Sequence, residues 1–155
     1  MQIKSLLTLG RTQCDAEASS KRTALEVLAN VISRDIPALD ADDLLRRFLA
    51  RERLGSTGIG HGIAIPHCRI SNSESTGTGA IGALITLTQP ISFDGIDGEP
   101  VDILFAMLVP DDAHDEHLKN LAALASALHN TAFRQRLRDA KDNNTLYDAA
   151  VGSEN

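Results

Sequence analysis

Val101-Asp102-Ile103-Leu104-Phe105-Ala106-Met107-Leu108-Val109, closed by Pro110, is a near-continuous apolar run. Its start is β-branched and prolines bound it at both ends, which fits a strand buried on both faces at the centre of a sheet. Working upstream, Asp94-Gly95 and Asp97-Gly98 are turn signals. Before them Ile81 to Leu87 reads as a second strand, ended by Gln89-Pro90, and Ile63-Ala64-Ile65-Pro66 as a short third. Ser71 to Gly79 is short and polar, a loop inside one domain rather than a boundary. Both flanks are helical. Upstream, Ser19 or Ser20 caps a helix carrying Ala24, Leu25, Leu28, Val31 and Ile32, which Pro37 ends. A second helix starts near Asp40, with Leu44, Leu45, Phe48 and Leu49 as its stripe and Gly55 as its stop. Downstream, Asp111 or Asp112 caps a helix to about Asn130, with Leu118, Leu121, Ala125 and Leu128 on one face. Thr131 caps the next, and Asn143 or Asn144 a short last one. Helices, then strands, then helices give an α/β or α+β sandwich with a central sheet.

At 155 residues the chain suits one domain with its own core. With 43% hydrophobic and 23% charged residues it is no disordered chain. No apolar run is long enough to span a bilayer, and the start, Met1 to Leu7, lacks a signal-peptide layout, so a cytoplasmic location is expected. Cys14 and Cys68 are too few and too far apart for a disulfide framework. Aromatic residues at 3% leave no stacking platform, and a net charge of −6 argues against nucleic acid as partner. Between Arg69 and Lys119 there is no Lys or Arg but there are nine acidic residues, so the remainder of the chain is net positive. Such a segment reads as a solvated acidic face or as one that steers a basic partner.

The chemistry concentrates between Arg51 and His67. Gly55, Gly58, Gly60 and Gly62 free the backbone for close approach to a ligand, and successive N–H groups of such a loop can form an anion-binding concavity. Ser56 and Thr57 add hydroxyls, and Arg51 and Arg53 add guanidinium forks suited to phosphate. The segment has neither the Gly-Lys-Ser/Thr of a Walker loop nor dinucleotide-loop spacing, and a glycine-rich connection without a ligand stays open as its reading. His67, stiffened by Pro66, offers an imidazole that is nucleophilic near neutrality because its ordinary pKa is ~6.5. His114 and His117, three apart, share one face at the start of a predicted helix, an end that favours anions. The spacing of His61, His67, Cys68, His114 and His117 matches no structural zinc pattern, and no metal is expected. Cys68 beside His67 could make the site sensitive to oxidation. His129 complements a helix C-terminus.

Gly55-Ser56-Thr57-Gly58-Ile59-Gly60-His61-Gly62-Ile63-Ala64-Ile65-Pro66-His67 resembles the phosphorylation-site signature of IIA domains of the phosphoenolpyruvate:sugar phosphotransferase system, fructose/mannitol class. Pro90 to Asp97, followed by Pro100 to Pro110, is similar to the nitrogen-regulatory branch, and the resemblance runs from about Ile3 to Val151. It implies a doubly covered α/β fold with a mixed sheet in a single domain spanning 1–155. It implies His67 as phosphoryl acceptor, His117 as the second active-site histidine and Arg51 as the active-site arginine, with no cofactor. Ser56, Thr57, Gly58, Ile59, Gly60 and Gly62 would form the phosphate-binding loop. His61 and Cys68 depart from the residues common in relatives there, and His114 has no counterpart. The donor implied is a small histidine phosphocarrier of the NPr/HPr kind, and the regulated partners are proteins such as sensor kinases or potassium transporters. A sugar-specific IIA component feeding a IIB domain, and a phosphate-sensing module without turnover, remain alternatives.

Overall fold

The structure, a computed structural model, describes residues 3–75 and 79–152, apart from the His114 side chain. Thr76, Gly77 and Thr78 of the Ser71–Gly79 segment lie outside the described residues. The element order is β1 (Thr12–Ala16), α1 (Lys21–Asp35), α2 (Ala41–Glu52), β2 (Gly58–Gly60), β3 (Ile63–Ala64), β4 (His67–Ile70), β5 (Ile81–Ile91), β6 (Val101–Pro110), α3 (His114–His129), α4 (Thr131–Asp139) and α5 (Asn143–Gly152). Six strands form one mixed sheet in the order β1-β5-β6-β3-β2, with β4 also on β6.

The predicted central strand, β6, is where the sheet is organised. It pairs antiparallel with β5 on one side and parallel with β3 and β4 on the other. Ile63 faces Ile103, Ala64 faces Leu104, and His67 to Ile70 face Met107 to Pro110, so β3 and β4 follow β6 in one unbroken register across Ile65-Pro66. Alternation along β6 supplies two cores. Leu104, Ala106 and Leu108 pack with α1 and α2. Ile103, Phe105, Met107 and Val109 pack with Leu124, Leu128, Phe133, Leu137 and Leu146 of the three later helices. Burying one such Leu or Ile contributes ~1.5–3 kcal/mol over leaving it exposed, so both faces must be covered and the mixed sheet lies between helices.

The first two helices begin where their caps predict. Ser20 Oγ accepts from the Thr23 N–H at 3.1 Å and Asp40 Oδ2 from the Asp43 N–H at 2.9 Å. α1 stops at Asp35 because Ile36 precedes Pro37 and leaves the helical region (φ −127°, ψ 82°). Elsewhere the structure corrects the sequence reading. β5 runs through Pro90 to Ile91. Its neighbour β1 pairs only as far as Leu87, so the proline falls where β5 has lost one partner and its register on β6 shifts. Asp111 does not cap α3, because its N–H still donates to Ile70 at 3.0 Å as the last rung beside β6, and Ala113 takes the cap position without a side-chain bond. Leu118 is 54% exposed, and Leu124 takes its place on the buried face. Asn130, not Thr131, caps α4, and Asp142, not Asn143 or Asn144, accepts from the Thr145 N–H at 2.7 Å. No helix among the described residues is long and apolar enough to cross a membrane.

Candidate functional site

His67 opens β4 directly after Pro66, and its surroundings fix its tautomer. Its Nδ1 lies 2.9 Å from the Ile65 carbonyl, which can only accept, so Nδ1 carries the proton and Nε2 carries the lone pair. That lone pair accepts from Arg51 Nε–H at 3.3 Å. Burial lowers the His67 pKa below its ordinary value, against the raising effect of the Ile65 hydrogen bond. The Arg51 charge lowers it further, and Glu52 works the other way. The ring is therefore neutral at neutral pH, with its nucleophilic nitrogen turned towards a cation.

Arg51 comes from the last turn of α2 and also donates through Nη1 to the Gly55 carbonyl at 3.0 Å. His117 comes from the first turn of α3, and its ring centroid is 5.4 Å from that of His67. The three residues expected to act together thus meet in one cleft of about 540 Å³. Sequence reading missed other parts of its wall. Arg47 and Arg69 line it, with Leu54, Leu118 and Leu121 as an apolar rim. Arg47 is four residues before Arg51 on the same helix face, and Arg69 two residues after His67 on the same strand face, so both periods were available as signals. Arg47 is committed elsewhere, to Glu74 at 2.9 Å and Asp43 at 2.8 Å. That guanidinium, with the Ser71 N–H, holds the Glu74 carboxyl down at about 2. Arg69 has no ion pair among the described residues.

The glycine-rich segment stands beside His67 rather than around it. Gly58–Gly60 forms β2, paired antiparallel with β3, and the turn between them passes through Gly60, His61 and Gly62 at φ 94°, 57° and 81°. A Cβ at Gly62 would collide with Arg138 and Asp102. Several of the donors expected to cradle phosphate already have partners in the chain, whereas the buried Thr57 hydroxyl has none among the described residues. The Thr57 N–H donates to Glu52 Oε1 at 3.1 Å, the Gly58 N–H to Ser56 Oγ at 3.0 Å, and the His61 N–H to Asp97 Oδ2 at 3.1 Å. Ser56 Oγ–H in turn donates to the Phe93 carbonyl at 2.7 Å, and Ile59 is 38% exposed. The segment instead supports His67. Lys21 pairs with the buried Glu52 at 2.8 Å, Glu52 holds Thr57, and the Thr57 carbonyl accepts from the Ile65 N–H at 2.9 Å. Ile65 then orients the His67 ring.

Cys68 borders the His67 cleft but is only 9% exposed, packed among the residues on α1 and α2. Burial pushes its thiol up to about 12, so it stays protonated and is a poor target for oxidation. Among the described residues no group of three or more His, Cys, Asp and Glu side chains could hold a metal ion.

Comparison with known proteins places this geometry. The family described as "Phosphoenolpyruvate-dependent sugar phosphotransferase system, EIIA 2" matches residues 5–150. A nitrogen regulatory protein of Pseudomonas aeruginosa is 42% identical over 155 residues, covering 100% of this chain and 98% of its own. The crystal structure of the nitrogen regulatory protein IIA-Ntr from Neisseria meningitidis superposes with a TM-score of 0.83 at 33% identity, covering 96% of this chain and 98% of that one. The mannitol enzyme IIA of Escherichia coli, solved in complex with phosphorylated enzyme IIB, shares the fold at a TM-score of 0.72 and 16% identity, covering 94% of this chain and 97% of that one. By sequence along nearly its whole length, and by fold, the chain belongs to the EIIA type 2 family of the phosphoenolpyruvate-dependent phosphotransferase system.

Proposed function

We propose that this chain is a phosphohistidine-carrying regulator of the nitrogen phosphotransferase system, accepting its phosphoryl group on His67 Nε2 from a small histidine phosphocarrier of the NPr/HPr kind. One observation carries the reading. The ring has its proton fixed on Nδ1 by the Ile65 carbonyl and its lone pair on Nε2, facing the cleft wall where it accepts from Arg51 and is released as Arg51 turns to the incoming phosphoryl group. In the transfer, a bond forms between Nε2 and phosphorus as the bond from phosphorus to the donor's ring nitrogen breaks. The electron pair of the broken bond returns to the donor ring. The Nδ1 proton stays in place, and the Ile65 carbonyl stabilises the positive charge that the ring acquires. Such a transfer asks the protein mainly for position and charge. Arg51 and Arg69 supply charge, and His117 donates to a phosphoryl oxygen from the opposite wall. The glycine hairpin acts through Ile65 as a positioning element.

The state of His67 then governs which proteins dock on the cleft and its leucine rim, sensor kinases and potassium transporters among them. A phosphoryl group adds about −1.5 to −2 charges there, enough to cancel the charge of Arg51 and Arg69. The nitrogen-regulatory names of the relatives favour this branch over a sugar-specific IIA component feeding a IIB domain.

The test is intact-mass spectrometry after mixing the protein with phosphoenolpyruvate, enzyme I and the histidine phosphocarrier, using the nitrogen-branch and sugar-branch pairs separately. One acid-labile phosphoryl group, absent from His67→Ala and added faster by the nitrogen pair, is the expected outcome. Faster labelling by the sugar pair assigns the chain to the sugar branch. Full labelling of His67→Ala removes the acceptor assignment, and no labelling by either pair leaves a phosphate-sensing module.

A further inference from the structure

On the adjoining face of α2, with Ala50 on the wall it shares with the His67 cleft, lies a second cleft of about 610 Å³, which the phosphocarrier reading does not use. Its α2 wall is a single stripe, Asp42, Leu45, Arg46, Leu49 and Ala50, continued by Arg53 at the helix C-cap, to which α1 adds Arg22. The Lys21–Glu52 ion pair at 2.8 Å pins the start of α1 to the end of α2. Arg22 and Arg53 each follow one partner of that pair, so both guanidinium groups belong to the same end of the cleft. Neither side chain has a hydrogen bond or ion pair among the described residues. Arg46, midway along the stripe, has only a share of Asp43 at 3.5 Å, because Arg47 takes the other oxygen of that carboxylate at 2.8 Å. Three guanidinium groups against one carboxylate thus line a concave surface on a chain whose net charge is −6.

We propose that this cleft binds a small organophosphate, with its phosphate end on Arg22 and Arg53 and its carbon skeleton lying along α2 towards Asp42. The arginine forks suit phosphate oxygens bidentately. Arg22 is in the first turn of α1, where the helix dipole also favours an anion. Leu45 and Leu49 give an apolar floor that a bare inorganic anion leaves uncovered. Asp42, at the far end of the stripe, repels a second anionic group and accepts hydrogen bonds from hydroxyls. From Asp42 to Arg53 the helix rises about 16 Å, and the cleft volume is in the range of small-molecule sites. The ligand class is therefore a phosphate ester or diphosphate of a hydroxylated skeleton.

The full chain, unphosphorylated, is titrated with ADP, glucose 6-phosphate and pyrophosphate by calorimetry, and amide NMR shifts locate the binding. Saturable binding of an organic phosphate is expected, tighter than that of pyrophosphate, with shifts around Arg22 and 45–53. Arg22→Gln combined with Arg53→Gln loses affinity by on the order of tenfold or more per charge-assisted bond. Arg51→Gln, in the His67 cleft, leaves it unchanged. Arg46→Glu, a change at an exposed side chain, weakens binding as a second check, and thermal unfolding of each variant confirms the fold. No organic phosphate binding tighter than about 1 mM overturns the proposal. So does binding that survives the double variant, binding abolished by Arg51→Gln, or pyrophosphate binding as tight as that of the esters. None of these readings depends on phosphotransfer to His67.

Discussion

Among the described residues two pairs of histidines meet at almost the same separation. The His67 and His117 rings are 5.4 Å apart and tilted by 55°, and the His61 and His129 rings are 5.3 Å apart and inclined by 73°. Proximity is equal and chemistry is not. The first pair lines a cleft with a carbonyl on one ring nitrogen and a guanidinium on the other. The second pair is exposed, and the fold uses the backbone of His61 rather than its ring. The His61 N–H donates to Asp97, and its carbonyl accepts from Arg138 Nη2 at 2.7 Å. A histidine pair becomes a reaction centre when its surroundings decide which nitrogen holds the proton and what faces the other.

The comparison can be broken most sharply at the acceptor. His67→Ala abolishes acid-labile labelling by mass spectrometry, whereas His61→Ala leaves the rate of labelling unchanged; equal losses would erase the distinction between the pairs. Next in size is the charge beside the acceptor. Arg51→Gln slows labelling by ~10²–10³, the usual cost of one preorganised donor, in a rapid-quench time course. For the second pair the large effect lies in the backbone clamp, not the rings. Arg138 grips Asp102 through two nitrogens at 2.9–3.2 Å and holds the hairpin turn through His61. Arg138→Ala lowers stability in urea unfolding by about 1–3 kcal/mol, while His61→Asn stays within ~0.5 kcal/mol. The smallest effect separates the pairs by pH. Because the folded-state pKa of His67 is lowered, its neutral form outlasts that of an ordinary imidazole as pH falls. The labelling rate therefore stays flat as pH passes below 6.5 and declines only further into acid. In the same acid range unfolded chains protonate His67 before folded ones do, so this group's contribution to stability is present above that value and shrinks below it. A rate already halved at 6.5 would show that burial and Arg51 do not act on this ring.

The strand at the centre was legible because Val101–Val109 announces itself by composition, and α1 and α2 because Ser20 and Asp40 are caps followed by apolar stripes. β1, β2 and β4 were not. Thr12-Gln13-Cys14-Asp15-Ala16 and His67-Cys68-Arg69-Ile70 are short and mixed, and Gly58-Ile59-Gly60 sets one strand-favouring Ile between two glycines that disfavour strand, so their neighbours in the sheet make them strands. The caps of α3 to α5 shifted by one or a few residues because Asp111 was still held by a strand and because Asn130 and Asp142 competed with their neighbours. At the site, the family signature pointed to His67, His117 and Arg51, and the fold brings them together. What no local pattern held was the set of partners for the glycine-loop donors. Glu52, Ser56 and Asp97 claim those N–H groups, and Asp97 does so from a turn far along the chain.

Successive residues of a strand turn their backbone groups to opposite edges, and this gives the position of Ile65 a further meaning. Pro66 turns its carbonyl inward, to the Met107 N–H at 2.9 Å, while Ile65 turns both its groups outward. There its N–H is taken by Thr57, but β2 supplies no N–H for the oxygen, and the imidazole takes it instead. The Ile65 oxygen therefore stands between two uses, a further rung of the sheet and the orientation of the His67 ring. A backbone that extended this edge by a single rung, whether a longer β2 or a strand lent by another chain, would occupy that oxygen. It would draw on the oxygen that fixes the His67 tautomer while every side chain remained as it is.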